Sequence, residues 1–136
     1  MTDQDPLVRF EGVKKRYESF EAVKGIDLDI ARGEFVAIMG PSGCGKTTTL
    51  RCIAGLERPD RGEIRIGGDV VAAPERGIYL VPEERNIGMV FQSYAVWPHM
   101  TVFDNVAYGL RVRRAPAQVL KERTMRALEL VGLTHL

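Results

Sequence analysis

The sequence predicts an α/β fold in which a buried strand feeds a phosphate-binding loop and a helix leads away from it. Three observations predict it. Residues 40–47 read Gly-Pro-Ser-Gly-Cys-Gly-Lys-Thr, a full match to G-x-x-x-x-G-K-[ST]. The run from Glu34 to Met39 ahead of the loop is short and apolar, as suits a strand buried on both faces. Lys46 to about Ala54 reads as a helix, with Gly55 placed to cap it. A chance Gly-rich turn ending in Lys-Thr would lack that strand and helix on its two sides.

The other elements follow in order. Leu7 to Tyr17 and Glu21 to Ile30 read as two strands joined by a turn at Glu18-Ser19, a hairpin. The second ends in the alternation Ile26-Asp27-Leu28-Asp29-Ile30, the pattern of a half-buried strand. Arg32-Gly33 turns the chain toward the strand before the loop. Past the helix, residues 57–62 form a polar turn. Glu63 to Ile66 is a short strand with which Asp69 to Val71 can pair, and residues 74–85 read as loop. Ile87 to Phe91 is a second apolar strand, followed at once by Gln92. Thr101-Val-Phe-Asp104 has the form of a capping box and opens a helix to about Leu110. A further helix runs from Pro116 to Val131, with Gly132 as cap; Leu120, Ala127, Leu128 and Val131 share a face, and Glu122 faces Arg126 as an exposed pair.

The loop residues suit a triphosphate. Gly40, Gly43 and Gly45 carry no Cβ, so backbone can approach phosphate closely. The amides from Gly43 to Thr48 can form an anion nest that continues into a helix N-terminus. Ser42, Gly43, Cys44 and Gly45 line the nucleotide side, and Lys46 adds a charge at the β- and γ-phosphates. The Thr47 hydroxyl suits Mg²⁺, and Thr48 can donate to the α-phosphate.

Composition bounds the alternatives. The 136 residues make one domain or part of one, with 45% hydrophobic content and a formal net charge of +1 from 19 basic and 18 acidic residues. That balance does not point to nucleic acid or to a membrane surface. No apolar stretch reaches eighteen residues and no signal segment stands at the start, so a cytosolic setting is expected. Cys44 lies in the loop beside Lys46, Cys52 reads as a small core residue on the helix, and the two make no disulfide framework. His99 and His135 have no ligand-spaced neighbours and read as no metal site. Arg111 to Arg114 reads as a solvated helix end.

Taken together these segments resemble the ATP-binding cassette of ABC transporters. The likeness rests on GPSGCGKTTTLRCIAGLE at 40–57, RGEIRIGG at 61–68, RNIGMVFQSYAVWPHMTVFDNVAYGL at 85–110, and the upstream aromatic Tyr17. It covers nearly the whole chain and is nearest to bacterial importer cassettes of the sugar, polyamine, ferric iron or phosphonate kind. The fold it implies is a P-loop NTPase of ABC ATPase type. Residues 1–33 and 61–75 would form mainly an antiparallel β-subdomain, 34–60 and 86–92 part of the parallel-sheet core, and 93–136 the start of a helical subdomain.

The resemblance also implies roles. Tyr17 would stack on adenine, with Phe20 a rival and Val23 packed beside the base. Gln92 would reach Mg²⁺ or the water near the γ-phosphate, as a catalytic residue with Lys46 and a metal contact with Thr47. Ser93 to Met100, with Tyr94, Trp97 and His99, would receive a coupling helix of a transmembrane permease. ATP and Mg²⁺ are the implied cofactors. A second cassette and permease subunits are the implied partners, and the inner face of the cell membrane is the implied location.

The resemblance stops short at one end. A complete cassette carries an L-S-G-G-Q signature, an apolar run ending in Asp-Glu and a switch histidine, and these 136 residues carry none of them. Ile78 to Glu84 imitates the second, but Pro82 is unsuited to a central strand. Two expectations follow: a partial cassette that binds nucleotide without hydrolysing it, and an open apolar edge at 34–39 that drives oligomerisation or swapping. A soluble ABC protein that docks no permease is the remaining alternative.

Overall fold

Alternating side chains set the first two strands, β1 (Val8–Tyr17) and β2 (Phe20–Ile30), which pair antiparallel across the turn at Glu18-Ser19. Val8 and Phe10 point to the core, and the register then shifts between Phe10 and Val13. That bulge brings Val13 back to the buried face three residues on instead of two. It is pinned where the Gly12 amide donates to Asp27 Oδ1 at 2.7 Å.

In the computed structural model, which describes residues 5–93 and 95–134, these strands belong to a five-stranded antiparallel sheet. The others are β3 (Arg61–Ile66), β4 (Asp69–Ala73) and β5 (Ile78–Tyr79), in the order β2-β1-β3-β4-β5. Register aligns Leu28, Phe10, Ile64, Ala72 and Tyr79 as one row across all five strands. Cys52, on helix α1 (Lys46–Ala54), packs into the same core as Phe10, Val13, Val23, Ile64 and Val71. Each large apolar side chain so buried contributes about 1.5–3 kcal/mol. The outward face is charged: Arg9 makes a two-pronged bond to Asp29, and Glu63 pairs with Arg65 and Arg76.

Among the described residues one charge lies inside. Arg85 is only 3% exposed. Its guanidinium donates to Cys52 O (2.6 Å) and Ile53 O (3.0 Å) at the end of α1, to Leu80 O (2.9 Å) and to Val71 O (3.4 Å). The carbonyl end of a helix favours a cation. Tyr79 lies 5.2 Å from the guanidinium and donates its own hydroxyl to Gly55 O at 2.6 Å. Burial pushes Arg85 down from its ordinary pKa, opposed by Tyr79 and Cys52.

The chain divides into two units, Met1–Met89 and Val90–Leu136. The second holds helices α2 (Val102–Val112) and α3 (Ala117–Leu130). Thr101 caps α2 as expected, its Oγ1 accepting from the Asp104 amide at 3.1 Å. The buried positions of these helices are Ala107, Thr124 and Leu128. Val131 is exposed, not part of the apolar face, and Glu122 accepts from Gln118 Nε2 at 2.9 Å in place of the expected pairing with Arg126.

Two further expectations need correction. Neither 34–39 nor 87–91 is a strand, and every ladder among the described residues is antiparallel. Phe35 is 95% exposed, Met39 89% and Val90 98%. Both runs have strand composition, but a strand exists only as a ladder with a partner, and among the described residues none pairs with them.

Candidate functional site

Helix α1 starts without the usual cap. Its N-cap is Gly45, no side chain bonds the first turn, and no acidic residue stands there. The helix ladder begins with the Thr49 amide donating to Gly45 O at 2.8 Å, so the amides before it have no partner within the helix. Helix α2, by contrast, closes its first turn with Thr101. An open positive helix end preceded by a flexible glycine loop is the setting that accepts an anion.

Backbone contacts hold the loop in shape. Gly45 lies at φ 93°, and a Cβ there would stand 2.3 Å from the Ala22 carbonyl oxygen of β2. Only glycine satisfies both the left-handed backbone and that approach. Gly43 also lies at positive φ, 81°, but faces open space. Lys46 folds back over the loop, its Nζ donating to Gly40 O at 2.7 Å and Pro41 O at 2.8 Å, with Cys44 Sγ 3.5 Å away. The ammonium thus stands at the loop mouth, held by neutral carbonyls that an anionic oxygen can outcompete. Thr49 is buried, and its hydroxyl donates to Gly45 O at 2.9 Å.

A hollow of about 280 Å³ opens over the loop, lined by Tyr17, Phe20, Ala22, Ser42, Gly43, Gly45, Lys46, Thr47 and Thr48. The structure therefore gathers the loop residues and Tyr17, and Phe20 stands there too. Tyr17 is 39% exposed. Burial, followed by Glu57, raises its phenol pKa, against the lowering effects of Thr48 and Lys15. Val23 does not line this hollow. It is 3% exposed in the core, and its Cγ2 lies 3.7 Å from where a Gly45 Cβ would stand, so it supports the loop from beneath. Cys44 lines a neighbouring hollow with Phe20, Val23, Gly43 and Thr49. No local pattern signals Lys15 and Glu57, which sit against Tyr17, with the Lys15 Nζ 2.9 Å from Glu57 Oε1.

Gln92 is exposed and belongs to the second unit. There Trp97 packs on Tyr108 with ring centroids 4.3 Å apart. The Asn105 side chain ties down the Trp97 backbone, accepting from its amide at 2.8 Å and donating to its carbonyl at 3.1 Å. Trp97 and His99 are described, whereas Tyr94 and His135 lie outside the described residues. Among the described residues no helix is long and apolar enough to cross a membrane.

The chain is similar to several known proteins. The family described as "ABC transporter" matches residues 23–136. The trehalose/maltose import ATP-binding protein MalK of Thermococcus litoralis is 53% identical over 129 residues, 95% of this chain and 35% of that protein. The spermidine/putrescine import ATP-binding protein PotA of Vibrio vulnificus is 48% identical over 94% of this chain and 32% of its own length. The chain thus spans about a third of the length of these relatives. Among solved structures, a dimeric ATP-binding cassette bound to ADP and Pi in a post-hydrolysis state superposes with a TM-score of 0.77 at 32% identity. That match covers 92% of this chain and 57% of the other. CbiO1 of Clostridium perfringens, part of the ABC transporter complex cbiONQ, gives 0.79 at 28% identity, covering 98% of this chain and 53% of its own.

Proposed function

Since the chain belongs to the ABC transporter family, we propose that it forms the nucleotide-gripping part of an importer's ATP-binding subunit. The observation that carries this reading is the uncapped start of α1, with Lys46 poised over the loop and Tyr17 beside it. The donor set fits a nucleoside triphosphate: free amides and an ammonium for the phosphates, an aromatic ring for the base. Tyr17 stacks on adenine, with stacking on a base contributing about 1–3 kcal/mol, and Phe20 borders the same space. Ser42, Gly43, Cys44, Gly45 and Thr48 wrap the phosphates, Lys46 reaches the β- and γ-oxygens, and the Thr47 hydroxyl holds Mg²⁺. When bound, that ion neutralises charge on the transferred group.

The family is one of ATPases. For these 136 residues the proposed activity is binding of Mg-ATP without turnover, because no Asp-Glu pair follows an apolar run to polarise water. Within the whole subunit the same loop serves hydrolysis that drives import, on the cytoplasmic face of the membrane, with a second cassette and permease subunits as partners. The part-exposed Trp97, held by Asn105 and Tyr108, is the proposed permease contact.

The test is Mg-ATP binding and turnover on this chain beside Lys46→Ala. Binding that Lys46→Ala abolishes, with no phosphate release, is expected. Absence of Mg-ATP binding would remove the site reading, and Lys46-dependent turnover would overturn the division of labour. Co-purification with an integral membrane partner separates the importer reading from a soluble ABC protein.

A further inference from the structure

Lys15 and Tyr17 stand two residues apart on β1, so both side chains leave the same face of the strand. The Lys15 ammonium lies over the Tyr17 ring, 5.1 Å from its centroid. It is placed there by the segment that follows α1. Lys15 Nζ lies 2.9 Å from Glu57 Oε1 and 3.8 Å from Asp60 Oδ1, and it donates to Arg58 O at 2.9 Å. The backbones are stitched together at the same level: the Asp60 amide donates to Lys14 O at 2.8 Å, and the Arg16 amide donates to Asp60 Oδ2 at 2.6 Å. Lys15 and Glu57 are half-buried, more enclosed than a fully exposed surface pair. Lys15 does not line the hollow above the loop, whereas Tyr17 does.

We propose that Lys15, fixed by Glu57, is a positioning residue that sets the Tyr17 ring as the platform for the adenine base. The proposal rests on the reading that Tyr17 receives the base. A cation over one ring face occupies that face and draws π density toward itself. The other face is then the one offered to an electron-rich purine, and the ring loses freedom it would otherwise surrender on binding. Glu57 therefore acts on the ring through the ammonium: it holds Lys15 Nζ at 2.9 Å, and that ammonium lies over Tyr17. The consequence is selective. Phosphate grip depends on the loop and Lys46, whereas base recognition depends on Lys15 and Glu57.

The experiment compares Mg-ATP with Mg-tripolyphosphate, which has no base, on the chain carrying Lys15→Met, Lys15→Arg, Glu57→Gln or Tyr17→Ala. Lys15→Met and Glu57→Gln are expected to weaken ATP about fivefold. Tripolyphosphate binding should stay within about twofold, and Lys15→Arg should restore ATP binding. A merely structural Lys15 would lower both ligands together, and that result overturns the proposal. So does a Tyr17→Ala chain that loses ATP affinity while Lys15→Met retains it. If Tyr17→Ala binds both ligands as the parent does, the base-stacking reading itself fails, and the proposal falls with it. Should Lys15→Met unfold, Glu57→Gln and Lys15→Arg still decide: Glu57→Gln must lose ATP alone.

Discussion

Gly45→Ala tests the loop architecture most directly. The substitution forces alanine into a backbone with φ 93° and drives a Cβ to 2.3 Å from Ala22 O. The left-handed conformation costs about 1–2 kcal/mol for a residue with a Cβ. The contact is with a strand carbonyl, not with the tip of a flexible side chain, so relief requires backbone movement, about 1–3 kcal/mol more. The sum, about 2–5 kcal/mol, falls on the loop and corresponds to an affinity loss of about 30-fold or more. Gly43→Ala is the control, because Gly43 has a similar φ of 81° but nothing within 4 Å of an added Cβ. It should show only the conformational part, about 5- to 30-fold. Titration with Mg-ATP by calorimetry measures both variants, and circular dichroism verifies that each keeps its sheet. Equal losses for the two would refute the argument, since the Ala22 contact would then carry no weight.

Other outcomes follow from the same structure. Cys44 is exposed and should be alkylated readily, with Mg-ATP slowing the reaction; Cys52, buried with its thiol pushed up to about 11, should label only on unfolding. Equal Cys44 rates with and without nucleotide would count against the loop site. Despite burial, which acts the other way, Lys15 and Tyr17 hold the Glu57 carboxyl below its ordinary pKa. Its contribution is therefore complete above the unfolded carboxylate value of about 4.3 and is lost as pH falls through the folded value. Glu57→Gln should flatten the acid limb of a melting-temperature profile and leave the neutral region with a lower plateau. Thr124 is buried in α3 with its hydroxyl unpartnered, so Thr124→Val should stabilise by about 1 kcal/mol in denaturant titration. Phe35 and Met39 are almost fully exposed, and sedimentation should show self-association that Phe35→Ser reduces; a monomer at all concentrations would contradict this.

Local chemistry made much of the fold legible. The hairpin turn, the Gly55 cap of α1 and the Thr101 cap of α2 each depend on a few adjacent residues, and each stands where the sequence places it. The phosphate loop is legible for the same reason, since its motif is contiguous. Composition failed where a partner strand was needed: Glu34–Met39 and Ile87–Phe91 have β-forming residues and no ladder. It failed also at Glu122, where two helix neighbours compete and Gln118 wins. The Lys15–Glu57–Tyr17 grouping joins β1 to the segment beyond α1, positions far apart in the chain. Val23 illustrates a smaller limit: the resemblance alone put it beside the base, and the folded hairpin buries it in the core beneath the loop.

Arg85 has a consequence for how variation in this chain should be read. A substitution to lysine keeps the charge and would pass as mild in any comparison of sequences. Yet the guanidinium spreads its donors over carbonyls from α1, from β4 and from Leu80, while an ammonium offers its three from a single point. Lysine would leave helix-end carbonyls buried without donors. Position 85 therefore belongs with Phe10 and Ile64 in its intolerance of change, a core position written in a charged letter.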